Sequence, residues 1–109
     1  MPENTERRAA PRVPLVSHGV VFIGGEQIAC KTLNVAVVGI AITCPVRRRV
    51  GSNLQLEFKL PNENDWVKVR AKLIRDERYY QSYLWGVQFE TVDEEAKRVL
   101  TAYIDQHLS

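Results

Sequence analysis

Three arginines stand close together near the start of the chain, as Arg7, Arg8 and Arg12 in the pattern R-R-x-x-x-R. A guanidinium group donates parallel hydrogen bonds to a phosphate or to the O6 and N7 edge of guanine, and it stacks on purine rings. Residues 1–12 are polar, contain two prolines and show no apolar periodicity, so we predict a flexible arm. Such an arm could wrap an anionic ligand and become ordered on binding.

The overall charge favours a small ligand over a long polyanion. The sequence has 15 basic and 13 acidic residues, which gives a net charge of +2 with neutral histidines. This excess is too small to indicate wholesale binding to DNA or to an anionic membrane. A second basic cluster, Arg47-Arg48-Arg49, falls in a predicted loop, and we interpret it as solvated. A compact anion is therefore the expected ligand, and a nucleic-acid polymer is not the expected partner.

Residues 34–39 carry a second motif, N-x-A-x-x-G, on the far side of a predicted β-hairpin. In this order, the two motifs resemble the R-x-x-x-R and [D/N]-x-S-x-x-G signatures of the PilZ domain family. Residues 15–23 are similar to the family's first strand, and residues 86–89 are similar to the G-V-x-F pattern of its last strand. The resemblance covers nearly the whole chain and implies a PilZ-like fold.

The resemblance also implies a ligand, cyclic di-GMP, a bacterial second messenger with two guanines and two phosphodiesters in one ring. It gives Arg8 and Arg12 the roles of the R-x-x-x-R pair, and it associates Arg7 with binding the ligand as an intercalated dimer. Arg75 stands where the family often has a ligand-facing side chain, so it is a further candidate. The ligand-binding residues implied by the two motifs are Arg7, Arg8, Arg12, Asn34, Ala36 and Gly39.

The second motif differs from the family pattern at one position. Asn34 offers an amide that can meet a guanine edge, and Gly39 leaves room for the close approach of backbone or ligand. The family's serine is replaced by Ala36, which removes one hydroxyl donor and acceptor. Because a hydrogen bond contributes about 0.5–3 kcal/mol, we expect the replacement to weaken binding by a few-fold to about a hundredfold.

Alternating apolar and polar residues predict the strands that position these motifs. The clearest pair is residues 54–60 and 67–73, a hairpin with one apolar and one polar face. The other predicted features are strands at residues 13–23, 28–33, 38–44 and 83–90, a turn at residues 24–25 and a polar connection at residues 76–82. An open sheet of six strands would expose two long edges, so we predict a closed, six-stranded antiparallel β-barrel.

The end of the chain changes to helical periodicity. Apolar residues recur at spacings of three and four, which predicts an amphipathic helix over residues 92–108. Thr91 and Glu94 form the S/T-x-x-E pattern of a capping box, so we expect the Thr91 hydroxyl to cap the helix. The helix would cover one opening or flank of the barrel, and the two together form one domain of residues 13–109.

The sequence carries no pattern that predicts catalysis. His18 and His107 lie outside any nucleophile or metal-spacing motif, and no phosphate-binding glycine loop occurs. Cys30 and Cys44 are expected to be free apolar side chains, and Trp85 is expected to lie in the core. The first residues are not followed by the leucine-rich run that is typical of a secretion signal, and no apolar run reaches the roughly 20 residues that a membrane span needs. We expect a cytoplasmic protein that is not an enzyme, with no metal, no cofactor and no membrane insertion.

The sequence leaves three functional hypotheses. The first is a stand-alone effector that binds cyclic di-GMP, changes conformation and signals to an unidentified protein partner in motility or biofilm formation. The second, favoured by Ala36, is a ligand-independent PilZ-like interaction protein in motility or pilus machinery. The third is a small barrel that binds single-stranded nucleic acid, with Tyr79, Tyr80 and Tyr83 near Arg78 as stacking groups.

Overall fold

Strands make up most of the part of the chain that the computed structural model describes, which is residues 10–61 and 64–109. The elements in these residues are β1 (Val13–Pro14), β2 (His18–Ile23), β3 (Glu26–Ala36), β4 (Gly39–Cys44), β5 (Asn53–Lys59), β6 (Trp66–Tyr79), β7 (Ser82–Val92) and α1 (Glu94–Leu108). Within the described ranges, no helix combines the length and the apolar character that crossing a membrane requires.

Six of the strands close into an antiparallel barrel. Hydrogen-bonded neighbours follow the order β3-β2-β5-β6-β7-β4, and β4 pairs back onto β3 to close the ring. Closure satisfies the backbone groups that an open sheet would leave unpaired at its two edges. The predicted six-stranded antiparallel barrel is therefore confirmed. The short β1 adds a further strand beside β3.

Alternation along the strands sends one set of side chains into the barrel. Along β5, Leu54, Leu56 and Phe58 are buried while Gln55 is exposed. Trp85 is fully buried in the same core, as predicted. Burying each large apolar side chain contributes about 1.5–3 kcal/mol to folding. Because side chains fill the interior of a small barrel, a ligand must bind on its outer face.

The C-terminal helix begins two residues later than the sequence predicts. Thr91 is still part of β7, where it pairs opposite Arg70. The residue that caps α1 is Asp93, whose Oδ1 accepts a hydrogen bond from the backbone N–H of Ala96 at 2.7 Å. The prediction of a Thr91 cap is wrong because strand pairing extends through Thr91, and aspartate is an equally good capping residue. The helical residues buried in the core are Ala96, Leu100 and Ile104.

Two strand predictions also need correction. The single strand predicted at residues 13–23 is divided into β1 and β2, and in the gap between them the carbonyl of Leu15 accepts a hydrogen bond from the Thr32 hydroxyl at 2.7 Å. The polar connection predicted at residues 76–82 is the end of a long β6–β7 hairpin. This segment is polar because most of its side chains are exposed. The chain reverses direction at Tyr80, which has a φ of 55°.

Candidate ligand-binding face

Two β-bulges decide which residues of β3 and β6 face outward. In β3 the pairing register shifts between Thr32 and Asn34, and in β6 it shifts between Leu73 and Arg75. Strand residues alternate between the two faces, so one extra residue reverses the alternation beyond it. Thr32 and Leu73 point into the barrel and are fully or almost fully buried. Asn34 and Arg75, which strict alternation would also place inside, therefore lie on the outer face.

Asn34 and Arg75 lie in one row across four neighbouring strands. Asn34 of β3 pairs with Ala41 of β4, Ala41 pairs with Gly86 of β7, and Gly86 pairs with Arg75 of β6. Three strand spacings of about 4.8 Å give a backbone separation of about 14 Å between the two ends. The two residues between them are small, so this row forms a low floor with a polar side chain at each end.

A second row runs beside the first and contains the rest of the N-x-A-x-x-G motif. Ala36 pairs with Gly39, Gly39 with Gln88, and Gln88 with Lys72. A Cβ atom on Gly39 would lie 2.4 Å from the carbonyl oxygen of Val87, so the close packing of β4 and β7 itself requires glycine. Periodicity alone gave no signal for Lys72, which becomes a candidate cation only through this pairing.

The start of the described chain leads to the edge of these two rows. In β1, Val13 pairs opposite Val35. Continuing that register by one residue places Arg12, which is exposed, opposite Ala36. Arg12 therefore lies at the edge of the face. Two predicted ligand-binding residues lie outside the described residues: Arg7 and Arg8.

The side chain of Asn34 carries an unsatisfied acceptor. Its Oδ1 atom is buried and has no hydrogen-bond partner among the described residues. Leaving a buried acceptor unpaired costs about 1–3 kcal/mol, so a rotation of the amide that brings Oδ1 to a ligand donor would recover that free energy. Ala36, two residues further along β3, is fully buried but does not belong to the barrel core.

The opposite end of the first row is held by an ion pair. The Arg75 Nε atom lies 3.0 Å from Oε2 of Glu77, and both side chains are about half exposed. A Cβ atom on Gly86 would lie 3.1 Å from the Arg75 Cβ, so the arginine passes directly over this glycine. The arrangement places one guanidinium group beside the floor and one carboxylate next to it. Sequence patterns gave no reason to single out Glu77.

A match along nearly the whole chain decides the family. Residues 6–106 match the PilZ domain. The chain belongs to the PilZ domain family. The resemblance that the two motifs predicted is thereby confirmed. By sequence, no curated protein matches the chain significantly.

Solved structures share the fold of this PilZ domain at low sequence identity. The inhibitor of motility MotI/DgrA from Bacillus subtilis is 19% identical, with a TM-score of 0.80 over 94% of this chain and 52% of its own. YcgR from Escherichia coli in complex with c-di-GMP is 14% identical, with a TM-score of 0.78 over 92% and 45%. The PilZ domain of that YcgR with c-di-GMP is 12% identical, with a TM-score of 0.69 over 93% and 91%. The chain thus spans about half the length of the first two proteins, and these likenesses show the fold alone.

The second arginine cluster of this PilZ domain has a structural role. Asp76, whose side chain is only 6% exposed, lies 3.3 Å from Nε of Arg47 and accepts a hydrogen bond from the backbone N–H of Arg48 at 3.3 Å. The Arg48 side chain also pairs with Glu26. The loop is largely exposed, as interpreted, but two of its arginines fix the loop to neighbouring strands. Arg49 remains exposed.

The tyrosines of the β6–β7 hairpin already have partners. The guanidinium groups of Arg47 and Arg78 lie 5.2 Å and 5.7 Å from the centre of the Tyr83 ring. Tyr79 and Tyr80 contact each other edge to face, with ring centres 4.9 Å apart. Proteins that bind single-stranded nucleic acid present free aromatic faces to successive bases. These contacts therefore do not favour the nucleic-acid hypothesis.

Both cysteines are buried and free, as predicted. The neighbouring Cys30 thiol and burial both raise the pKa of the Cys44 thiol, so Cys44 stays protonated. Among residues 10–61 and 64–109, no group of three histidine, cysteine or acidic side chains is placed to hold a metal ion.

Proposed function

We propose that this PilZ domain binds cyclic di-GMP on the outer face between Asn34 and Arg75. The observation that carries the proposal is the row between the two bulges. It combines a floor of small residues with an unpaired buried acceptor at one end and a guanidinium at the other. Two of the similar solved structures, both of YcgR from Escherichia coli, contain c-di-GMP, which supports the same ligand for this chain.

The chemistry of the ligand suits the side chains around this face. Its phosphodiesters and guanine edges both accept the paired hydrogen bonds of an arginine, and its guanine N–H groups can donate to Asn34 Oδ1. Arg8 and Arg12 supply the main phosphate and guanine contacts from the arm. Arg7 holds a second ligand molecule stacked on the first. Gly39 and Ala36 keep the floor low enough for the ring to approach.

The proposed output is binding followed by a change in shape, without catalysis. The Tyr103 hydroxyl of α1 donates a hydrogen bond to the Pro14 carbonyl at 2.8 Å, two residues after Arg12. A phenol is protonated at neutral pH, and partial burial raises the pKa of this Tyr103 hydroxyl further, so it remains a donor. If the arm becomes ordered on the ligand, β1 would shift with it, and the hydrogen bond between Pro14 and Tyr103 would transmit this shift to α1. A protein partner would read that altered surface.

A second candidate function rests on one specific position. Ala36 replaces the serine of the family motif, so this chain lacks one hydroxyl at the site. The Ala36 side chain is fully buried. If the remaining groups bind the ligand too weakly, the protein would act as a ligand-independent interaction protein in motility or pilus machinery. This alternative predicts the same fold and the same partner surface, but no response to cyclic di-GMP.

Calorimetric titration of the full chain with cyclic di-GMP tests the proposal. We expect binding in the micromolar range or tighter, and weaker binding by Arg12→Ala. The matched control is Arg49→Ala, which removes an exposed arginine that belongs to neither row of the face and should bind like the parent. An RNA oligomer should give no heat. Absence of heat with cyclic di-GMP would favour the ligand-independent alternative.

A further inference from the structure

We propose that Glu77 acts as an internal competitor of the ligand for Arg75, and so sets the affinity of the face. This inference rests on the proposed binding of cyclic di-GMP. The Glu77 carboxylate pairs with the Arg75 guanidinium, so a ligand phosphate that binds Arg75 must displace this carboxylate. The pair thus lowers affinity without changing the fold.

The position of the pair follows from the bulge in β6. Beyond the bulge, Arg75 pairs opposite Gly86, and Glu77, two residues further, pairs opposite Leu84. Residues two apart on a strand share a face, so both charged side chains project outward from the same edge of the floor. The Arg75 Nε and Glu77 Oε2 atoms are 3.0 Å apart, so the two charged groups are in direct contact.

The neighbouring acid does not play the same part. Asp76 lies between the two residues in sequence, but its side chain is almost completely buried and is committed to the Arg47–Arg48 loop. It therefore faces away from the floor. Glu77 is the acid that engages Arg75.

The size of the effect follows from the exposure of the pair. The two side chains are 56% and 52% exposed, so water and salt screen their attraction. Exposed pairs of this kind shift an equilibrium by about 1.5- to fivefold. A ligand phosphate that reaches Arg75 must overcome this preference. We therefore expect removal of the Glu77 charge to tighten binding by about 1.5- to fivefold.

Titration of four variants with cyclic di-GMP tests the inference. Glu77→Gln keeps the shape and removes the charge, and it should bind about 1.5- to fivefold more tightly than the parent. In an Arg75→Ala background, the same change should have no effect, because the guanidinium is gone. The matched control is Glu95→Gln, which breaks an exposed pair with Arg98 on α1, remote in sequence from the face. It should leave the affinity unchanged.

The possible outcomes distinguish a failure of the Glu77 inference from a failure of the proposed binding of cyclic di-GMP. If the parent binds but Glu77→Gln equals Glu95→Gln, Glu77 is no competitor and only the inference fails. Weaker binding by Glu77→Gln would overturn it too, because the carboxylate would then contact the ligand favourably. Equal tightening with and without Arg75 would replace competition with general repulsion. If no variant binds, the proposed function itself fails, and the inference with it.

Discussion

Replacing Gly39 with alanine is expected to destabilise the barrel, although Gly39 belongs to a motif linked to ligand binding. Gly39 pairs opposite Gln88 where β4 meets β7. An added Cβ atom would lie 2.4 Å from the Val87 carbonyl oxygen. Close carbon–oxygen contacts are about 3.3–3.6 Å, so one of the two strands must move by about 1 Å.

The cost of this movement depends on what holds the two strands in place. β4 pairs with β7 on one side and with β3 on the other, and the second pairing closes the barrel. A shift of β4 therefore disturbs two ladders. Overpacking of this kind costs about 1–3 kcal/mol, and a domain of this size loses about 4–8 °C in melting temperature for each kcal/mol. We expect Gly39→Ala to melt roughly 4–24 °C below the parent.

Thermal unfolding followed by tryptophan fluorescence measures this change, because Trp85 is fully buried in the folded state. The matched control is Gly86→Ala, whose Cβ would lie 3.1 Å from the side-chain Cβ of Arg75. That contact is relieved by a displacement of a few tenths of an ångström, so Gly86→Ala should unfold near the parent. A Gly39→Ala protein as stable as the parent would refute the steric argument. The role of Gly39 in the motif would then be in ligand binding.

The remaining predictions concern the arm, the motif and the helix cap. Arg8→Ala and Arg12→Ala should each weaken cyclic di-GMP binding by several-fold to about a hundredfold, and Arg8→Lys should not restore it, because an ammonium lacks the paired donors. Arg7→Ala should lower the number of ligands bound per protein more than the affinity for the first. Ala36→Ser should tighten binding by restoring a hydroxyl. Asp93→Ala should lower the free energy of unfolding by about 1 kcal/mol in thermal melts.

Each of these predictions has its own control. The changes at Arg7, Arg8 and Arg12 should leave the melting temperature of the free protein nearly unchanged, so lost binding cannot be ascribed to unfolding. Thr91→Ala should not reproduce the effect of Asp93→Ala, because Thr91 lies in β7. Parent-like binding by Arg8→Ala would contradict the assignment of the arm, and an unchanged stoichiometry in Arg7→Ala would contradict the intercalated dimer.

Much of the fold can be read from local sequence patterns. The alternation in residues 54–60 and 67–73 predicts the β5–β6 hairpin, and the apolar stripe after residue 92 predicts α1. These features depend on period-two and helical repeats that hold within a single element. The need to close the edges of several strands then predicts the barrel, and the two motifs predict the family.

The failures lie where two elements compete for the same residues. Thr91 fits a helix cap by sequence, but β7 pairs through it and Asp93 takes the cap instead. Residues 76–82 look like a polar loop, but they continue a hairpin whose partner strand supplies the hydrogen bonds. Composition does not report such pairing, because the hydrogen bonds between strands join backbone groups whatever the polarity of the side chains.

Local sequence patterns were enough to predict the alternation, the barrel, the helix and the two motifs. The direction in which Asn34 and Arg75 face depends on how the strands pair in the folded sheet. Counted from Thr32 and Leu73, strict alternation would bury both, and the bulges that turn them outward appear only in the pairing of β3 with β4 and of β6 with β7. A bulge is a mismatch in length between two paired strands, so neither strand's own sequence specifies it. The candidate site therefore depends on register, a property of the folded sheet.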